Sequence, residues 1–252
     1  MKKYTSAFTL IELMVVISIL SLMSSIILAS VNGARARAQF SAGVQTEANM
    51  LHGIGDKLVG YWSFDDAPVS DIVADYSSYN NTALRIGASY FSTGGYNGKG
   101  FYQFNGTIAN RLESDGVATL LGTTNDFTIS AWIKPTNPST GLQGIITTRC
   151  TPGMTGLMGW NNNELIYGYA NSWITGTGLS PKLNEWNFIA LSVSPTKATL
   201  FLNDKTKTIS GSFTPIQFGC GQPLRIGTDI AQGGIPGIMI DNVRVYSEAF
   251  VK

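Results

Sequence analysis

The 252-residue sequence predicts a mainly β protein with one long N-terminal α-helix, and three observations carry that prediction. Residues 8–31 read FTLIELMVVISILSLMSSIILASV, with one carboxylate, Glu12, and otherwise only Thr and Ser as polar side chains. Residues 32–58 then place apolar side chains at helical spacing. From Val59 onward the pattern changes to short alternating runs broken by Gly, Asn, Pro and Ser. An apolar run of about 20 residues spans the roughly 30 Å hydrocarbon core of a bilayer as a helix. Alternating runs separated by turn residues give strands of an antiparallel sandwich.

Composition bounds the function classes. Charged residues make up 13% of the chain, and 17 basic side chains face 16 acidic ones. That balance holds no basic footprint for nucleic acid. The residues beyond the apolar run are numerous enough for a full hydrophobic core.

In front of the apolar run stands a short basic leader, residues 1–7, with Lys2 and Lys3. The leader followed by Ala7, Phe8, Thr9, Leu10, Ile11 and Glu12 resembles the cleavage and methylation motif of type IV pilins and pseudopilins. That resemblance implies that a prepilin peptidase cuts between Ala7 and Phe8 and methylates the new amino group of Phe8. It also implies that Glu12 neutralises the terminal amine of a neighbouring subunit during assembly. The physics agrees, because an ionisable group within a membrane helix is costly and marks a functional partner. Phe8 and Glu12 lie one helical turn apart, on one face. The bland alternative is a plain membrane anchor whose carboxylate reaches the interface. A secretory signal peptide fits less well, since its hydrophobic core is shorter and a small-residue cleavage site follows it.

Two departures from the pilin pattern stand out. Ala7 occupies the position before the cut, where Gly is usual, and no Pro occurs between Phe8 and Leu58. The second departure predicts an unbroken helix. Ser21, Ser25, Ala29 and Gly33 recur every four residues, a spacing that permits close helix approach in an apolar setting.

Phe40, Val44, Leu51, Ile54 and Leu58 continue the helical spacing, and Gly53 and Gly55 mark its end. The expected organisation is a leader over 1–7, a pilin-type helix over 8–57 with 8–31 as membrane and filament core, and a sandwich over 58–252. The stripe from Phe40 to Leu58 is expected to pack on the sandwich or on neighbouring subunits. His52, at the fraying end, is expected to be solvated.

Within the β region, GYWSFDD at 60–66, DYSSYNN at 75–81 and GKGFYQFNG at 98–106 resemble successive blocks of a laminin-G-like, concanavalin-type jelly roll. FTISAWIKP at 127–135, NEWNFIALS at 184–192, LRIGT at 224–228 and IDNVRVYSEAF at 240–250 continue the series in order. The resemblance implies that the first and last strands are neighbours in one sheet. Trp62, Trp132 and Trp186 then belong to strands as core residues.

Two cysteines, Cys150 and Cys220, lie in the region expected to be exported. An even count outside the cytoplasm favours a disulfide, with two buried thiols as the alternative. A bridge would close a loop of about 70 residues, worth roughly 4 kcal/mol in the chain-entropy account. A Ser-His-Asp triad would need His52, the only histidine. Asp65 and Asp66 are adjacent and would point to opposite faces of a strand, unlike the spaced acidic residues of glucanase relatives. The chain is therefore not expected to be an enzyme. The jelly-roll resemblance leaves room for a structural Ca²⁺, with Asp75 and Asp241 as its ligands; an Asx-turn explains Asp75 equally well. No other cofactor is expected.

The expected function is a pilin-like filament subunit that starts as a single-pass precursor in the cytoplasmic membrane and ends in an extracellular filament. Its expected partners are copies of itself or other pilins, the prepilin peptidase and the pilus assembly machinery. A minor pilin or adhesin, or a pseudopilin of a type II secretion system, shares the same motif. For an adhesin, Trp160, Tyr167, Tyr169 and Trp173, beside Asn-rich segments, are the candidate faces for a glycan.

Overall fold

The computed structural model describes residues 8–139, 141–149, 157–169, 172–218, 220–229 and 231–251. Its elements in chain order begin with α1 (Leu10–Ile54), a 3₁₀ turn (Gly55–Lys57), β1 (Leu58–Trp62), β2 (Ile72–Val73), β3 (Ala83–Ile86) and β4 (Ser89–Phe91). Next come β5 (Phe101–Gln103), β6 (Arg111–Ser114), α2 (Asp115–Leu121), β7 (Thr123–Thr124), β8 (Phe127–Lys134) and β9 (Gln143–Thr147). They are followed by β10 (Met158–Asn161), β11 (Glu164–Tyr169), β12 (Ser172–Ile174), β13 (Asn187–Ser194) and β14 (Lys197–Leu202). The last four are β15 (Lys205–Ser210), β16 (Ile216–Gln217), β17 (Leu224–Ile226) and β18 (Met239–Tyr246).

The chain divides after Gln39 into two compact units. In the first, every residue from Phe8 to Arg35 is exposed, apolar side chains included. Within this apolar helix the hydroxyls of Ser18 and Ser21 donate to the carbonyls of Met14 and Ile17, each at 2.7 Å. Ser25 donates to Leu22 O at 2.8 Å. Bonding back onto the helix removes the cost of a bare hydroxyl in hydrocarbon.

The second unit is a sandwich of two eight-stranded antiparallel sheets plus the end of α1. One sheet runs β15-β14-β13-β8-β18-β5-β4, with β1 also paired to β18; the other runs β12-β11-β10-β9-β17-β6-β3-β2. The first and last strands are neighbours, as the jelly-roll resemblance implied, with Leu58 opposite Tyr246 and Trp62 opposite Val243. The inner faces supply a core that includes Trp62, Tyr102, Phe104, Phe127, Ile129, Ile146, Leu191 and Val245.

Strands β8 and β13 are buried on both faces. Their alternation is strict, yet the outward positions Trp132, Phe188 and Ala190 are as apolar as the inward ones. Together with Phe201 and Met50 they form a second cluster, against which Phe40, Tyr96 and Phe250 pack. The last turns of α1 lie on this face. Trp132 stacks on Tyr96 at 4.6 Å between ring centroids and tilts against Phe40 at 5.1 Å. Trp186 departs from expectation in part: it precedes β13 and is half-buried, packing against this cluster while it donates its indole N–H to Gly94 O at 3.2 Å.

The helix face that docks keeps Phe40 and Ile54 of the expected stripe but not Val44 and Leu51. Val44 and Leu51 are exposed, whereas Gly43, Thr46, Glu47, Met50 and Ile54 are buried. The sheet decides this. Trp132 donates its indole N–H to Glu47 Oε2 at 3.0 Å, and Arg244 and the Asn242 amide both donate to Glu47 Oε1. Thr46 donates to Asn203 O at 2.8 Å. A Cβ at Gly43 would lie 2.9 Å from atoms of Asn203, Phe188 and Trp132, so only glycine lets the backbone approach this closely. His52 is exposed, as expected.

Glu47 is the residue whose loss should be felt most. Glu47→Ala leaves Arg244 buried without its carboxylate, which is expected to cost about 3–5 kcal/mol. Denaturant unfolding of the detergent-solubilised full chain measures this. A cost below about 1 kcal/mol, the range of exposed pairs, would show that the apolar cluster alone holds the helix.

Candidate functional site

The processing and assembly residues lie at the start of α1. Thr9 caps the helix and Glu12 completes a reciprocal box: Glu12 Oε2 accepts the Thr9 N–H at 2.8 Å and the Thr9 hydroxyl at 2.7 Å, while the Glu12 N–H donates to Thr9 Oγ1 at 3.3 Å. The signal for such a box is the Thr-x-x-Glu spacing of residues 9–12. Its consequence is that Glu12 is held one residue from the Phe8 nitrogen, on the exposed apolar helix. Ala7 lies outside the described residues.

Cys150 also lies outside the described residues. Cys220 Sγ is 3.9 Å from the carbonyl oxygen of Arg149, the chain neighbour of Cys150.

The aromatic residues expected to face a glycan separate into two sets, and two of them are corrected. Trp160 and Tyr167 are fully buried and belong to the inner core. The reason is a turn. Asn162 and Asn163 both adopt positive φ, +48° and +65°, and form a two-residue hairpin loop that places Asn161 opposite Glu164. The Asn-rich stretch is therefore a tight turn, and Trp160 is a strand residue pointing inward. Tyr169 packs on the core edge against Phe213, and its hydroxyl lies 2.7 Å from Thr214 Oγ1. Trp173 alone stays half-exposed outside the core, its ring seated over Gly159.

Asp75 and Asp241 occupy separate settings. The Asp75 carboxylate accepts four hydrogen bonds, from the N–H groups of Tyr61, Ser77 and Asn81 and the Ser77 hydroxyl, at 2.6–2.8 Å. This is the Asx-turn reading extended to a full clamp on β1. No group of three or more His, Cys, Asp or Glu side chains suited to a metal occurs among the described residues.

Asp241 is buried beside the helix dock. Its Oδ2 accepts the Tyr96 N–H at 3.0 Å, and its Oδ1 has no hydrogen-bond partner among the described residues. Burial pushes its carboxyl from the usual 3.8 up to about 7, with Asp65 and Glu47 adding to the rise and the Tyr96 N–H opposing it. A bulge follows at once: the β18–β8 register shifts between Asp241 and Arg244, and Asn242 takes φ +53°. A bulge re-aims side chains; here it turns the Asn242 amide toward Glu47 and the Tyr96 hydroxyl, the latter at 3.1 Å.

A methylation motif on the exposed apolar N-terminal helix supports a pilin-like precursor carrying a lectin-like β domain. The prokaryotic N-terminal methylation motif matches residues 2–28. Residues 105–251, more than half of the chain, match the concanavalin A-like lectin/glucanases superfamily, and the protein belongs to that superfamily. No curated protein matches the chain.

Solved structures share its fold. Domain 4 of AbnA, a GH43 extracellular arabinanase from Geobacillus stearothermophilus, in complex with arabinotriose, aligns with a TM-score of 0.59 and 20% identity over 77% of this chain and 94% of that one. Trypanosoma rangeli sialidase in complex with sialic acid aligns with a TM-score of 0.56 and 15% identity, over 78% of this chain and only 31% of its own. The binding domain of Paraclostridial Mosquitocidal Protein 1 aligns with a TM-score of 0.56 and 16% identity, over 78% and 50% of the two chains.

The Asp241 carboxyl makes stability depend on pH with a definite sign. Between about pH 4 and 7 the folded chain holds a proton that the unfolded chain has released, so stability falls as pH rises through that window. The slope from this group is at most about 1.4 kcal/mol per pH unit. Asp241→Asn is expected to raise the melting temperature at pH 8 and leave it nearly unchanged at pH 4. Parallel melting curves of the two proteins across pH 4–8 would rule out a neutral folded Asp241.

Proposed function

We propose that the chain is a subunit of a type IV pilin-like filament, cut by a prepilin peptidase between Ala7 and Phe8 and polymerised through α1, with the sandwich displayed outside the cell. The observation that carries this reading is the methylation motif on a helix whose apolar side chains are exposed all round from residue 8 to 31. A surface of that kind needs lipid or other helices to cover it. By length and composition α1 is able to cross a membrane. Copies of itself or other pilins, the peptidase and the assembly machinery are its partners in this reading.

The reading is non-catalytic and uses no cofactor. It is supported by the carboxylates present: Asp65 pairs with Lys99 at 2.9 Å, Asp66 accepts the Tyr76 hydroxyl, and Asp75 is saturated by its four donors.

A second reading, a minor pilin or adhesin whose sandwich binds a glycan, is favoured by the superfamily and by the fold shared with an arabinanase domain solved with arabinotriose. A pseudopilin role rests on the methylation motif alone, which it shares.

In cells with a prepilin peptidase, mass spectrometry of the exported chain is expected to find Phe8 as a methylated N-terminus. Glu12→Ala is expected to leave that cut intact and to abolish incorporation into sheared filaments. Normal filaments built from Glu12→Ala protein alone would sink the charge-pairing argument, and an intact Met1 on the exported chain would sink the processing one.

Cys150 and Cys220 are proposed to form an intramolecular bridge, supported by the position of Cys220 beside Arg149. The intact unreduced protein should be two hydrogens lighter than the reduced one. Two thiols alkylated without reductant would refute the bridge.

A further inference from the structure

We propose that the sandwich carries a cleft for a neutral saccharide, at the rim where the segments after β5 and β8 meet the segment before β18. The inference rests on the adhesive reading and names its site; it does not depend on the filament reading. A cavity of about 440 Å³ opens at this rim, lined among others by Ser89, Gln103, Asn105, Asn110, Asn137 and Pro236. That volume falls within the roughly 300–1,000 Å³ of small-molecule sites.

The walls are braced independently of any ligand. Asn110 accepts the Asn105 N–H through Oδ1 at 3.0 Å and donates through Nδ2 to the Gly87 carbonyl. The Gly237 N–H donates to Phe104 O at 2.8 Å, and the Gly234 N–H to Gly106 O at 2.9 Å. Asn137 Nδ2 donates to Pro236 O at 2.8 Å. Gly106 adopts φ +84°, and a Cβ there would come within 3.0 Å of Gly234 O and the Pro236 ring, so the two segments interlock. A site braced in this way loses little freedom on binding.

What the braces leave over decides the ligand. The side chains of Ser89 and Gln103 make no hydrogen bond to the described residues, and neither do Asn105 Nδ2 and Asn137 Oδ1. These are donors and acceptors in one cleft, and no described residue lining it carries a charge. Amide and hydroxyl groups match the paired donor and acceptor character of sugar hydroxyls. An anionic ligand would find no counter-charge, and an apolar one would strip water from polar groups without replacing their bonds. Asp241, Glu47 and the buried Trp160 and Tyr167 take no part.

The test uses the full chain solubilised in an amine-oxide detergent, which has no sugar headgroup to compete. Cellotriose, xylotriose, mannotriose and galactotriose are titrated by calorimetry, with 3′-sialyllactose as the anionic control. At least one neutral trisaccharide is expected to bind, and sialyllactose is not expected to bind more tightly than the best of them. Gln103→Ala, which removes a side chain with no partner, is expected to weaken binding about five- to tenfold, one neutral hydrogen bond, without lowering the melting temperature. Asn137→Ala should weaken it too; because Asn137 also braces Pro236, Gln103→Ala is the decisive variant. Trp173→Ala should leave the affinity unchanged. Unaltered binding by Gln103→Ala overturns the cleft. If Trp173→Ala abolishes binding in that case, the adhesive reading survives at another place. No binding of any trisaccharide at about 10 mM, weaker than the roughly 4 kcal/mol of a millimolar complex, overturns both.

Discussion

The carboxylate of Glu47 is the constraint around which one face of the sandwich is arranged. A buried charge is tolerated only when it is paired and hydrogen-bonded. Here three donors from two strands meet it: the Trp132 indole of β8, and the Asn242 amide and Arg244 guanidinium of β18. Each donor needs its own support. Arg244 also lies 4.3 Å over the Tyr61 ring of β1, and Asn242 reaches Glu47 only because the β18 bulge turns it. The Tyr96 segment closes the group through its ring on Trp132, its N–H on Asp241 and its hydroxyl on Asn242. One ion pair thus ties the helix end to β1, β8, β18 and the segment before β5.

The same group explains where the sequence was legible and where it was not. The long helix, the switch to strands at residue 58 and the pairing of β1 with β18 followed from periodicity and from the order of the jelly-roll blocks. The docking face of α1 followed only in part, through Phe40 and Ile54, because apolar spacing assumes that a helix buries its most hydrophobic stripe. This sheet instead presents donors, and it selects Gly43, Thr46 and Glu47 while Val44 and Leu51 remain outside. A signal was available in β8 and β13, whose outward Trp132, Phe188 and Ala190 are too apolar for a solvated face. Strands that are apolar at both parities announce a cover, but not which helix face supplies it.

The candidate site shows a different limit. Trp160 beside three asparagines reads by composition as a loop aromatic. Two of those asparagines are a left-handed hairpin turn, and the residues on either side are strands. Composition locates the reversal of the chain, but the register across the turn decides which aromatics face inward. Polar side chains that make no internal bond, such as Gln103, carry no sequence signature at all; only the convergence of three separate segments reveals them.

The two glutamates of α1 solve opposite problems with the same group. Glu47 is satisfied by partners distant in the chain, so it exists in its native setting only once the sandwich has formed. Glu12 is satisfied within one helical turn, by the amide and hydroxyl of Thr9. On the proposed reading its later partner is the methylated amine of another subunit, and the capping box sets the terms of that exchange. Incoming charge does not rescue a bare carboxylate; it replaces hydrogen bonds that already hold it. The net gain is then the difference between a charge-assisted pair and a local cap, each of order 1–3 kcal/mol. A difference that small allows the carboxylate to accept a correctly placed amine and to return to Thr9 when none is present. On that reading the cap keeps the costly charge of the apolar segment satisfied before assembly and still available to direct it.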